Sequence, residues 1–224
     1  MGDTTVKDDK IAVMGDSHAL VMTAFFDVVG KENQFNFSYL STNSVTPFDG
    51  INDTLIKEEY KQEHNDALLV SRKLFANSKI IFVVKNWHGD NGYFTKVFEK
   101  LILKLKPNQN LVLVSDFPAV KINPVRQYNS IIKPKKILLQ KVIFPAVPSE
   151  ITNLINLHQN VYVLNLKNAD FFKTAPFYND TLMYYDENHI NSYGAKNYAK
   201  FEGGKLADLI NKIKSKNNLK QTFK

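Results

Sequence analysis

Three short runs constrain the fold more than anything else in the chain: Lys79 to Val84, Leu111 to Ser115 and Val161 to Leu166. Each is a nearly continuous apolar stretch, without the alternation of a sheet that faces water on one side. Such runs are strands buried on both faces, and a parallel sheet covered by helices on both sides is the arrangement that buries them. Helical patterns lie between them. Ala19 to Val29 reads as a helix with Gly30 beyond its end, Asp53 to Phe75 as a second, Tyr93 to Leu105 as a third and Pro148 to His158 as a fourth. Two further strands are expected at Lys10 to Met14 and Phe35 to Leu40, and a long amphipathic helix at Ser192 to about Lys214. Alternating strands and helices predict an α/β domain with a mostly parallel sheet and helices on both faces. Pro118 to Val147, broken by Pro118, Pro124, Pro134 and Pro145, is expected to form loops that contact substrate.

The organisation expected is a polar leader or vector-derived remnant at 1–9, one catalytic domain at 10–214 and a basic tail at 215–224. The chain of 224 residues is long enough to be held by a hydrophobic core, and it contains no cysteine. That excludes thiolate nucleophiles, Cys-ligated zinc, iron–sulfur clusters and disulfide scaffolds. The longest apolar stretches fall far short of the ~20 residues that cross a bilayer. The first ten residues are polar and show no signal peptide. The formal charge of +7 invites a nucleic-acid reading. However, Lys205 to Lys224 holds six lysines against Asp208 alone, so the charge is mostly a helix end and no nucleic-acid partner is expected.

In a parallel sheet, ligands bind outside the carboxyl ends of the strands, where helix N-termini offer free N–H groups. Three polar groups fall at such places: Gly15-Asp16-Ser17 after the first strand, Lys85-Asn86-Trp87 after the third, and Asp186-Glu187-Asn188-His189 before the last helix. A serine becomes a nucleophile when a histidine takes its proton, and that histidine works best when a carboxylate fixes its tautomer. Ser17, His189 and Asp186 form such a set, with Asp186 and His189 three residues apart. Taken singly, Ser17 is an ordinary helix N-cap and Asp186 an ordinary turn cap. The conjunction of the two motifs is what points to chemistry.

The block Ile11-Ala12-Val13-Met14-Gly15-Asp16-Ser17-His18-Ala19 resembles the first block of the SGNH (GDSL-like) hydrolases. Tyr185-Asp186-Glu187-Asn188-His189-Ile190-Asn191-Ser192-Tyr193-Gly194-Ala195 is similar to their last block. Phe82-Val83-Val84-Lys85-Asn86-Trp87 and Leu113-Val114-Ser115-Asp116-Phe117-Pro118 narrow the resemblance to the SGNH domain attached to membrane acyltransferases that O-acetylate bacterial surface polysaccharides. The resemblance covers Lys10 to Leu209. It implies a three-layer α/β/α sandwich with Ser17 as nucleophile, His189 as general base and Asp186 as its orienting carboxylate. The implied oxyanion hole uses the Ser17 N–H, a small residue of the second block and an asparagine of the third. Asn86 is the candidate asparagine, although Trp87 competes for that place. No donor is assignable among Asn43, Ser44 and Gly50 in the second block, where Val45 replaces a cysteine common in the subgroup.

Trp87 is read either as an aromatic cap over the core or as a platform that binds a sugar ring. His18 is expected to face away from Ser17 and to pack or hydrogen-bond. Arg126 is expected as an exposed loop residue, with clamping of an anionic sugar as the alternative. His88 and Asp90 with Asp186 and His189 lack metal-ligand spacing, so no metal and no other cofactor is expected. The function implied is O-acetyl transfer through an acyl-serine to a hydroxyl of a cell-surface polysaccharide. A glycan would be the acceptor, and a membrane acyltransferase domain, in the same parent chain or a partner, the donor. The alternatives are a free-standing carbohydrate acetyl esterase and an inert glycan-binding domain. A periplasmic, membrane-tethered location and a monomeric isolated domain complete the expectation.

Overall fold

The computed structural model describes residues 1–7, 10–43, 45–87, 93–127, 142–145, 147–168 and 170–222, with the backbone alone at 93 and 218–222. The chain runs β1 (Ile11–Gly15), α1 (Ser17–Val21), α2 (Thr23–Asn33), β2 (Phe37–Ser41), two 3-10 turns (Asp53–Leu55 and Glu58–Tyr60), α3 (Lys61–Asn77) and β3 (Ile80–Val84). It continues through α4 (Tyr93–Leu103), β4 (Asn110–Val114), α5 (Pro124–Gln127), α6 (Ser149–Asn156), β5 (Val161–Leu164), the pair β6 (Phe177–Tyr178) and β7 (Thr181–Leu182), and α7 (Ser192–Thr222).

Strands β2-β1-β3-β4-β5 form one sheet in that order, every pair parallel, with Gly15 level with Ser41 on one side and Val84 on the other. Successive side chains on a strand point to opposite faces, and both faces are apolar here. Ile11, Val13, Phe82 and Val114 pack on one side against Phe25 and Val29 of α2 and Leu206 and Ile210 of α7. Ala12, Met14, Val83 and Leu113 pack on the other against Phe98 of α4 and Ile151 of α6. This is the expected three-layer α/β/α arrangement. The strand order reverses at β1, so the crevice outside the carboxyl ends of β1 and β3 is where such a sheet binds ligands.

Several local expectations change. The first helix breaks at Met22 and then runs through Gly30 to Asn33, with Gln34 left-handed at its end (φ 57°). Gly30 is therefore no C-cap. A Cβ there would lie 2.6 Å from the Gly2 Cα, so glycine is required where the chain start crosses the helix. For the same reason residues 1–3 are not a detached leader: the Gly2 N–H donates to Asp27 at 3.1 Å and the Asp3 N–H to the Phe35 carbonyl at 2.9 Å. The helix expected from Asp53 starts only at Lys61, because Ile56 and Lys57 are extended and Ile56 is buried. α7 continues past Lys214 as regular helix to Thr222, and the basic segment 215–222 belongs to it. Lys216 donates from Nζ to the Gln159 carbonyl at 2.9 Å, and the Lys214 ammonium lies 4.8 Å from the Phe35 ring. Between Pro118 and Val147 the described part holds α5 and a bridge of Ala119 to Ile143; the rest of the expected substrate loop, 128–141 and 146, lies outside the described residues. No described helix is long and apolar enough to cross a membrane.

Candidate active site

The turn after β1 leaves no freedom at Gly15: a Cβ would sit 1.8 Å from the Val84 carbonyl oxygen and 2.6 Å from the Ala19 Cβ. Glycine lets β1 run close to the end of β3 and turn directly into α1. The N-cap of α1 is Asp16, whose Oδ1 accepts the His18 N–H at 2.9 Å. Capping, the ordinary role for Ser17, is thus filled by its neighbour, and the Ser17 hydroxyl is released for another partner. The second oxygen of Asp16 accepts the Asn86 N–H at 2.9 Å, so one buried carboxylate ties the α1 start to the segment after β3. Burial raises the pKa of Asp16, opposed by His18, by the two backbone donors and by Lys85.

The Ser17 hydroxyl faces His189, with Oγ 2.9 Å from Nε2, although the two are 172 residues apart. The loop carrying His189 is closed by a bridge between Tyr184 and Ile190 and by a 2.7 Å bond from the Tyr185 N–H to the His189 carbonyl. Within it, Asp186 bonds both the backbone of its own turn and the imidazole. Its Oδ1 accepts the Asn188 and His189 N–H groups at 2.8 and 2.9 Å, and its Oδ2 lies 2.8 Å from His189 Nδ1. Burial alone would raise the Asp186 pKa, but the Asn188 N–H, the His189 bond and charge, and the His189 N–H outweigh it and lower the pKa. An ionised Asp186 selects the tautomer with the proton on Nδ1, in which Nε2 accepts the hydrogen bond of the Ser17 hydroxyl. Solvent reaches the pair, with His189 and Asp186 side chains 27% and 38% exposed. The Ser17 N–H lies in the first turn of α1, where backbone donors have no acceptor within the helix.

Other expected site residues are distributed differently. Asn86 stands beside the turn, tethered by Asp16, while its carbonyl accepts from Lys85 Nζ at 2.6 Å. Trp87 is not a sugar platform: it is 3% exposed, packs 5.7 Å from Phe98, and donates from Nε1 to the Val114 carbonyl at 2.8 Å. The indole N–H finds its acceptor at the end of β4, and satisfying it there draws the ring into the core. Lys85 is buried as well, its ammonium 4.5 Å from the Trp87 ring and 4.0 Å from that of Phe94. His18 behaves as expected and bonds Asp116, a residue whose role the motif after β4 did not reveal. Arg126 is exposed on α5. Asn43 holds Glu63 through its N–H at 3.1 Å, and Gly50 is exposed. Ser44, His88 and Asp90 lie outside the described residues, and among the described residues no three His, Asp or Glu side chains are gathered as metal ligands.

Comparison with solved structures finds the same fold in the lipopolysaccharide acetyltransferase periplasmic domain of Salmonella ser. Paratyphi A. The identity is 15% and the TM-score 0.53, over 89% of this chain and 84% of that one. A possible lipase from Chitinophaga pinensis matches at 13% identity and TM-score 0.46, over 91% of this chain and 98% of that one. No curated protein matches the sequence. The family model of the SGNH domain fused to AT3 domains matches residues 2–201, which hold the five-stranded parallel sheet, the Gly-Asp-Ser turn and the Asp-x-x-His loop, and the chain belongs to that family.

Proposed function

We propose that the protein is a serine-dependent O-acetyltransferase domain that passes an acetyl group, by way of an acyl-serine, to a hydroxyl of a bacterial surface polysaccharide. The observation that carries this is the continuous chain of bonds from Ser17 Oγ through the His189 imidazole to the Asp186 carboxylate. His189 Nε2 takes the proton as Ser17 Oγ attacks the acetyl carbonyl. The resulting oxyanion is held by the Ser17 N–H, with Asn86 as the second donor, and such donors act strongly because they are aimed before charge develops. The tetrahedral adduct then collapses to acetyl-serine, and the leaving oxygen receives the proton from His189. In the second half, His189 takes the proton of an acceptor hydroxyl as its oxygen attacks the acyl carbonyl, and returns that proton to Ser17 Oγ as the bond from Oγ to the acyl carbon breaks. Water in place of the sugar makes the same intermediate an esterase intermediate.

The family's fusion to AT3 domains and the fold shared with a periplasmic acetyltransferase domain support the rest of the proposal. A membrane acyltransferase domain supplies the acetyl group, and the present domain meets its glycan acceptor on the periplasmic side as a tethered monomer. Mass spectrometry after incubation with p-nitrophenyl acetate or a fluorophosphonate tests the nucleophile. Ser17 should carry the label, and Ser17→Ala should lower acetyl-ester turnover at least about a thousandfold. An unlabelled Ser17 in folded protein, or an unchanged rate in the variant, would falsify the assignment. Adding candidate sugars to the acetylated enzyme separates transfer from hydrolysis: acetylated sugar marks a transferase, and free acetate alone an esterase.

A further inference from the structure

His18 follows Ser17 directly yet turns away from it, as adjacent residues on a helix do. It forms a buried pair with Asp116, their side chains 2% and 0% exposed. His18 Nδ1 lies 2.7 Å from Asp116 Oδ1, and the same oxygen accepts the Phe117 N–H at 3.0 Å. The remaining atoms, His18 Nε2 and Asp116 Oδ2, have no hydrogen-bond partner among the described residues, so that one bond carries the pairing. The His18 ring stacks on Phe117 at 4.9 Å and 15°, and meets the His189 ring at 5.1 Å and 59°. The segment bearing Asp116 and Phe117 is also tied to the His189 loop. Tyr184 donates its hydroxyl to the Pro118 carbonyl at 2.7 Å, and the Val120 N–H donates to the Glu187 carbonyl at 2.9 Å.

We propose that His18 and Asp116 are a positioning pair that holds Phe117 and the His189 loop so that the His189 imidazole stays within reach of Ser17 Oγ. The proposal rests on Ser17, His189 and Asp186 being the reacting triad. Neither member of the pair hydrogen-bonds to Ser17 Oγ or to the His189 imidazole. The charged groups around His18 are Asp116 after β4, Asp16 before α1, Lys85 after β3 and, when protonated, His189 before α7. Burial alone would favour the neutral ring. The charge and bond of Asp116 and the charge of Asp16 outweigh burial and Lys85, and the His18 pKa is raised above the ordinary imidazole value. A raised folded-state pKa means that the charge-assisted bond is complete at low pH and weakens as pH rises through that pKa.

Fluorophosphonate labelling of Ser17 across pH tests the pair. Wild type should lose rate on the alkaline side, as His18 gives up its proton. Asp116→Asn should label about ten- to a hundredfold more slowly, lose kcat rather than gain KM with p-nitrophenyl acetate, and show its alkaline fall at lower pH. An unchanged rate, or a slower rate with an unmoved pH profile, overturns the proposal. If Asp116→Asn does not fold, imidazole NMR of Ser17→Ala reads the intact pair. His18 should titrate above about 6.5, with the His189 ring signals moving alongside, and a His18 titration that leaves His189 unmoved overturns the coupling. Absence of label on folded wild type would instead overturn the triad itself, and the NMR measurement still distinguishes that outcome.

Discussion

At the scale of single residues, the site depends on which side chain takes which job in a crowded turn. Asp16 caps α1, which frees Ser17 for His189, and Asp186 both closes its own turn and orients the imidazole. Replacing Asp186 by Asn keeps the shape but lets Nδ1 lose its selected proton. On the proposed mechanism, and by analogy with known serine triads, acetyl-ester kcat should fall about a thousand- to ten-thousandfold with little change in the melting temperature. A loss of only a few-fold would show that the carboxylate does not set the tautomer. Gly15 is a purely steric requirement. Gly15→Ala places a Cβ 1.8 Å from a backbone carbonyl that cannot rotate away, so the expected loss exceeds about 3 kcal/mol in urea denaturation. A midpoint equal to the wild type would contradict the close approach of β1 and β3.

At the scale of elements, α7 shows how a long helix is held by its surroundings. Ile210 and Ile213 are fully buried in the layer shared with α2, while the ammonium groups of Lys214 and Lys216 lie 4.8 and 5.8 Å from the rings of Phe35 and Tyr162. Ile213→Ala should therefore cost about 2–4 kcal/mol. Leu103→Ser, at a position 79% exposed at the end of α4, should change stability by no more than about 0.5 kcal/mol. Comparable losses from both substitutions would show that α7 is not packed as described. The strands and most helices were legible within a few residues, because apolar runs and helical periodicity are local properties. The 3-10 turns before α3, the break at Met22 and the β6–β7 hairpin were not, since each spans too few residues to show a periodicity.

Across the whole molecule, ionisation links the site to stability. Asp186, Asp27 and Asp49 all have pKa values below the ordinary carboxylate value. For Asp49 the first cause is the Arg72 bond; for Asp27 burial is outweighed by Lys31 and the Gly2 N–H. A carboxyl whose folded pKa is depressed stabilises above its unfolded value, about 4, and loses that contribution as pH falls through the folded pKa. Asp16 acts in the opposite sense, because burial disfavours its charge. The Asp3 pKa is lowered too, by its bonds from Thr5, and with four groups against one the melting temperature should drop between pH 5 and pH 3, estimated from that unfolded value of about 4, and Asp49→Asn should make the drop smaller. A melting temperature independent of pH over that range would rule out the linkage.

By itself the sequence determined the layered α/β sheet and the positions of Gly15-Asp16-Ser17 and Asp186 to His189 at its carboxyl end. Strand burial and the residue types of these two turns are written in neighbouring residues. Only the tertiary structure decided the fate of Trp87, whose indole N–H found the Val114 carbonyl and drew the ring inward. It alone also paired His18 with Asp116, 98 residues away, and set that pair against His189. An amphipathic ring or a buried charge takes whichever partner the folded chain presents, and that choice exists only after distant segments have been brought together.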